Sequence, residues 1–173
     1  GYYVGCRLGY AEGHIYAWQG APSTWTGEGD DLARYRLAWI VDDDGPADFH
    51  TIQEAIDATS PGDVIYVKAG TYYENIVVNK TITLIGERGN AFIDGNNTGN
   101  VVSVSADNVT LNGFIIQNGV DGIFLSDSNN ATIINNYVKS NNRGIHIKWG
   151  AGNTLYGNEI ADNKEFGILL WEC

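Results

Sequence analysis

Residues 122–143, GIFLSDSNNATIINNYVKSNNR, run directly into residues 144–166, GIHIKWGAGNTLYGNEIADNKEF, and then into the fragment GILLWEC at 167–173. A unit of about 22 residues recurs in register, which is the signature of a stacked architecture. Gly122, Gly144 and Gly167 open successive units, and Thr110, Thr132 and Thr154 fall 22 apart. Asn118, Asn141 and Asn163 are expected to close the second half of each turn. A more diverged copy, VVSVSADNVTLNGFIIQN, begins at Val101. Within the opening strands alternate positions are aliphatic: Val102 and Val104, Ile123 and Leu125, Ile145 and Ile147, Ile168 and Leu170. Period two marks strands that turn these side chains to one face. Phe124, His146 and Leu169, with Ser126, Lys148 and Trp171, then point outward. Because the pattern returns every 22 residues and not every ten, each unit is one complete coil of several short strands, stacked in parallel on its predecessor. The fold expected is all-β, a β-solenoid. Gly and Asn tolerate the left-handed backbone of its corners, and an Asn repeated at one corner can bond to its copies above and below. These asparagines read as structure and not as a binding site.

Composition narrows the setting. The 21 acidic and 10 basic side chains give a formal charge of -11, which opposes partnership with nucleic acid or an anionic membrane. No apolar run approaches the ~18 residues that insertion into a bilayer requires. Methionine is absent and the sequence starts at Gly1, the pattern of a processed, exported protein or of an excised fragment. The 2 cysteines, Cys6 and Cys173, sit near the two ends with no zinc-type spacing. Asn79, Asn96, Asn108 and Asn130 each open an N-x-T sequon and are glycosylation candidates, in keeping with an exported protein in which a disulfide survives.

Residues 1–40 stand outside the repeat as an arm crowded with aromatics, among them Tyr2, Tyr3, Tyr10, Trp18 and Trp25, interleaved with Gly. Residues 14–18 and 34–40 read as short strands. The aromatics suit packing over the end of the solenoid or against a neighbouring subunit; sugar stacking is the other reading. The stretch 48–59 then reads as one amphipathic helix, N-capped by Asp48, with Phe49, Ile52, Ala55 and Ile56 on its apolar side and Ser60-Pro61-Gly62 as the stop. Laid across the solenoid it covers the first layer of core. From Gly62 onward the coils add up to about five layers, a stack of ~24 Å. Asp42, Asp43 and Asp44, with Asp48, form the densest carboxylate run and the one calcium candidate. A solvated turn before the helix is the alternative, and no firm metal site or cofactor is expected.

Residues 48–89, DFHTIQEAIDATSPGDVIYVKAGTYYENIVVNKTITLIGERG, resemble the N-terminal block of the pectin-lyase-like, right-handed parallel β-helix superfamily. The stretch is similar both to pectin methylesterases and to the NosD-like surface proteins abundant in archaea, over about residues 41–173. Fold alone does not fix function. The resemblance to pectin methylesterases implies motifs of the QDTL and DFIFG kind, and these are missing. The nearest counterpart, residues 119–128, GVDGIFLSDS, offers Asp121 and Asp127, both at turn positions where Asp bonds locally. Lyases of this fold pair an acidic calcium cluster with Lys or Arg; Arg143 and Lys148 are present without such a cluster on neighbouring coils. The copper label of NosD-like proteins finds only the scattered His14, His50 and His146. No catalytic residue is assigned.

The last unit stops after one strand, GILLWEC, so Ile168, Leu170 and Trp171 are expected at an open edge that recruits another chain. Three pairings remain for the cysteines: Cys173 of one subunit with Cys6 of the next, which is favoured and builds a filament; a bridge within one molecule, which needs the arm to run the length of the stack; or free thiols. The function expected is a non-enzymatic, extracellular structural subunit of a filament, sheath or surface layer, self-associating into a homopolymer and carrying glycans. A carbohydrate-binding or carbohydrate-active β-helix module is the alternative.

Overall fold

In the computed structural model, residues 7–11, 14–18, 35–36 and 38–172 are described. The chain divides into two compact units, Gly1–Ala38 and Trp39–Cys173. In the first, strands Arg7–Ala11, His14–Trp18 and Tyr35–Arg36 form an antiparallel sheet, with Arg7 opposite Trp18 and Ala17 opposite Tyr35.

The second unit is a parallel β-solenoid whose coils cross three sheets in turn. Sheet I stacks Trp39–Val41, Val64–Val67, Thr83–Gly86, Thr110–Asn112, Thr132–Ile134 and Thr154–Tyr156. Sheet II stacks Gly70–Tyr72, Ala91–Asp94, Ile115–Gln117, Tyr137–Lys139 and Glu159–Ala161. Sheet III stacks Ile76–Val78, Val102–Val104, Asp121–Ser126, Arg143–Lys148 and Phe166–Trp171. The register follows the repeat, with corner loops absorbing small differences in length: Thr83, Thr110, Thr132 and Thr154 share a column, as do Val102, Ile123, Ile145 and Ile168. There are about six turns and not five. The extra one arises because Trp39–Val41 pairs in parallel with Val64–Val67 and begins the first coil ahead of the helix.

Inward positions form continuous aliphatic columns. Ile65, Leu84, Leu111 and Ile133 fill one side, Ile93, Ile116 and Val138 the second, and Ile76, Val102, Ile123 and Ile145 the third, all fully buried. Each such side chain contributes about 1.5–3 kcal/mol by leaving water. In the coil of Phe166–Trp171, Ile168 and Leu170 continue the inward positions and are exposed. At the other end the helix Ile52–Ala58 buries Ile52, Ala55 and Ile56.

The helix starts later than 48 because Asp48 is engaged elsewhere: its carboxylate accepts from the Ile40 N–H at 2.9 Å, and Phe49 bridges to Val41. Thr51 is the N-cap, accepting from the Glu54 N–H. Glu74, from the coil below, takes the next two orphan donors, the N–H groups of Ile52 and Gln53, at 2.8 and 2.9 Å.

Five asparagines clamp the last three coils together, each to the one before it, with the same pair of bonds. Asn136, Asn141, Asn153, Asn158 and Asn163 accept, on Oδ1, the backbone N–H of Phe114, Gly119, Ala131, Asn136 and Asn141, each 22 residues earlier. Through Nδ2 they donate to the carbonyls of Leu111, Ile116, Ser128, Ile133 and Val138, each 25 residues earlier. The clamp column at the II–III corner is therefore Gly119–Asn141–Asn163. Asn118 belongs to a different column, with Ser140 and Asp162, whose φ angles of 60, 57 and 53° make it the left-handed turn of that corner. The sequence expectation joined the two columns because Asn118 lies one residue off the 22-residue spacing.

Asn141 is fully buried, so Asn141→Ala strands the Gly119 N–H and the Ile116 carbonyl away from water. The expected loss is about 2–3 kcal/mol, read as a lower midpoint in urea or thermal unfolding. Asn79→Ala, at an exposed position outside the clamps, is expected to stay within about 0.5 kcal/mol of the parent.

Candidate functional site

In the last three coils the sheet III strands lengthen to 6 residues, which brings Asp121 opposite Arg143 on adjacent rungs. Arg143 grips the Asp121 carboxylate with both arms, Nε to Oδ1 at 2.5 Å and Nη2 to Oδ2 at 3.1 Å. His146 Nδ1 reaches Oδ2 at 3.2 Å. A carboxylate only accepts, so Nδ1 carries the proton in this contact. The other ring nitrogen, Nε2, is buried without a hydrogen-bond partner. His146 lies on the outward column, as read from the sequence, yet is only 6% exposed, because the ring of Phe124 packs on it at 4.9 Å and Leu169 occupies the next rung. Asp121 is 2% exposed. The cluster is an ion-paired network in which both carboxylate oxygens are committed and the unpartnered ring nitrogen faces no solvent. The sequence reading of Asp121 as a local turn residue missed this. The signal was there in the 22-residue offset between Asp121 and Arg143.

The acidic run divides in two. Carboxylate oxygens of Asp42, Asp43 and Asp44 lie within 4.8 Å of one another, while Asp48 is tied to Ile40. Asp42 is buried and paired with Lys68 at 2.8 Å, and Asp43 accepts from the Thr71 N–H at 3.3 Å. His50 Nδ1 sits 2.8 Å from the Asp42 carbonyl oxygen. These contacts fasten the turn before the helix to the coil behind it.

A third group lies on the outer side of the last two coils. The Lys148 ammonium stands 3.7 Å from the ring centre of Trp149 and 5.8 Å from that of Trp171. Both indoles are about half exposed, and Trp149 Nε1 donates to Glu172. At the I–II corner, Arg88, Phe114, Asn135, Tyr137 and Glu159 line an open cleft of about 170 Å3.

Of the other residues singled out from sequence, Cys6, Cys173, Tyr2, Tyr3 and Trp25 lie outside the described residues. Tyr10 and Trp18 fall in strands of the first unit whose side chains are not described. Ile168, Leu170 and Trp171 are exposed, and so are Asn79, Asn96, Asn108 and Asn130.

A fold of stacked parallel coils with polar ladders at the corners defines the class as a β-helix protein, and comparison with known proteins places it more narrowly. Residues 53–173 match the family described as periplasmic copper-binding protein (NosD), and the chain belongs to that family. A cell surface glycoprotein of Methanothermus fervidus is 35% identical over 158 residues, covering 71% of this chain and 26% of that protein. The chain thus spans about a quarter of the length of that curated relative. An alginate lyase from Paenibacillus sp. str. FPU-7 superposes with a TM-score of 0.57 at 19% identity, over 63% of this chain and 41% of that one. A pectin methylesterase (a D178A mutant in complex with a hexasaccharide) gives 0.51 at 16% identity, over 65% and 48%. At these identities the two structures share the fold. The location is extracellular or at the cell surface. No helix among the described residues is long and apolar enough to cross a membrane.

The family description brings copper into question, and the described residues do not fit it. Copper prefers imidazole and sulfur donors. The one grouped set of candidate ligands among the described residues is the all-oxygen Asp42–Asp43–Asp44, already paired through Asp42 with a lysine. His146 stands beside the Arg143 cation and has no second soft donor in its network.

The hydrogen bond from Lys68 holds the Asp42 carboxyl below its usual 3.8, with burial opposing the shift. A folded-state value lowered in this way stabilises the protein above the unfolded value and is lost as pH falls through the folded one. Lys68→Met is therefore expected to cost stability at pH 7, with the gap to the parent closing as the solution is taken below pH 3.8. Denaturant melts across that range check it; a gap of constant size in acid contradicts the assignment.

Proposed function

We propose that this chain is a non-enzymatic structural segment of a cell-surface assembly, a filament, sheath or surface layer, built as a rod of stacked coils. The observation that carries this reading is where the polar side chains spend their bonding. Five asparagines are committed to clamping coil to coil, and the Asp121 carboxylate is committed to Arg143 and His146. Catalysis needs groups poised toward a substrate, with an open position between them; these groups face each other. Membership of the NosD family and the likeness to a cell surface glycoprotein support a role outside the cell. Self-association follows the logic of the fold, since a solenoid grows by repeating nearest-neighbour contacts. In this reading Cys173 of one subunit pairs with Cys6 of the next.

A carbohydrate-binding role is the second reading, favoured by Trp149 and Trp171, two half-exposed indoles beside Lys148 on an outer face. Sugar rings stack on such surfaces through their C–H faces.

Negative-stain microscopy of native material is expected to show regular polymers or lattices, and non-reducing gels a ladder that collapses on adding thiol. A monomer at every concentration, with glycan-array binding that Trp149→Ala and Trp171→Ala abolish, favours the second reading over the first.

A further inference from the structure

The structure separates the asparagines of the repeat into two populations. The clamp residues Asn136, Asn141, Asn153, Asn158 and Asn163 have Nδ2 committed to a backbone carbonyl of the preceding coil, and none of them opens a sequon. Asn79, Asn96, Asn108 and Asn130 open the four N-x-T triplets, are exposed, and make no side-chain hydrogen bond among the described residues. The atom a glycan attaches to is free in each sequon and engaged in each clamp.

Topology then places three of the four at one corner, two of them in register. Asn79 follows Ile76–Val78, Asn108 follows Val102–Val104, and Asn130 follows Asp121–Ser126, so all three lie at the III–I corner on successive coils. Asn108 and Asn130 are equivalent: Thr110, two residues after the first, pairs in register with Thr132, two residues after the second. Both have left-handed backbones, φ 56 and 54°, at the corner itself. The register of Thr83 with Thr110 puts Thr81 on the rung below Asn108, and Asn79 two residues upstream on the same corner. Buried Val109 and Ala131 occupy the middle position of the two upper sequons, so the flanking Asn and Thr both sit on the outer side of the coil. Asn96 belongs instead to the II–III corner.

We propose that Asn79, Asn108 and Asn130 carry N-linked glycans, forming a ridge of sugar along one corner of the solenoid. The chemistry is the joining of Nδ2 to the anomeric carbon of a saccharide supplied as a phosphate or diphosphate ester. The new N–C bond forms as the C–O bond to phosphate breaks, and the amide proton leaves with the departing phosphate. With rungs about 4.8 Å apart, glycans on Asn108 and Asn130 lie side by side, so the modified corner faces solvent. The inference rests on the surface location and not on the scaffold reading, so either can fail without the other.

Glycopeptide mass mapping of protein recovered from its native cell tests it. Peptides containing Asn79, Asn108 and Asn130 are expected to carry saccharide mass at all three positions. A position recovered only unmodified overturns the ridge. In the producing cell, Asn79→Gln, Thr110→Val and Thr132→Val each remove one sequon, the latter two while keeping the asparagine at its left-handed corner. Each is expected to lower the intact mass by one glycan and to leave the unfolding midpoint within error of the parent; an unchanged mass in any of the three also overturns it.

Discussion

The structure depends on a two-pointed clamp in which one side-chain amide reaches across a coil boundary. Its oxygen takes the N–H 22 residues back and its nitrogen serves the C=O 25 residues back. A β-solenoid must turn sharply at three corners in every coil, and at each corner the backbone leaves the ladder that pairs it with its neighbours. Buried groups left there cost about 1–3 kcal/mol each. A primary amide is the one short side chain that offers a donor and an acceptor in a single plane. Asparagine at these positions carries the ladder through the corner, and the aliphatic columns inside can then remain continuous.

That arrangement bears on function. A solenoid face becomes an active site when ionisable groups on adjacent rungs point at a common space. Here the candidate groups on sheet III point at one another, with Arg143 and His146 converging on Asp121 beneath Phe124. Asp42 is used the same way, fastening a turn to the next coil through Lys68. Charge is spent on rigidity, which suits a surface scaffold and leaves aromatics and free asparagines as the groups still open to partners. The pattern also accounts for the poor fit to copper: among the described residues, His50 lies against the Asp42 carbonyl oxygen and His146 beside an arginine cation.

Much of the fold is legible in the sequence because it is written twice, once as period two in the strands and once as the 22-residue repeat. The strand columns from Val102 to Leu170 follow from those two periods alone. Residues 34–40 read as one strand of the arm, but Tyr35–Arg36 and Trp39–Val41 are separate strands in different units, and that the second begins the first coil is recognisable only by its pairing with Val64–Val67. The helix start is misplaced for a related reason. Asp48 and Thr51 are both good caps, and what decides between them is that the Asp48 carboxylate is taken by Ile40, a contact local sequence does not display. At the corners, residue type is readable and residue role is not: Asn118 turns the chain while Asn141 clamps it, and one position of offset separates them. The burial of His146 depends on Phe124 folding over it, which alternation alone places in solvent.

Amide hydrogen exchange tests the central claim most directly. The N–H groups of Phe114, Gly119, Ala131, Asn136 and Asn141 bond to side-chain oxygens and not to a sheet ladder. If the clamps hold the stack together, these five amides exchange as slowly as the central strand amides of Leu111 and Ile123, and they open with them in one cooperative unit. Exchange at the rate of unprotected loop amides, while the strands stay protected, would contradict the account.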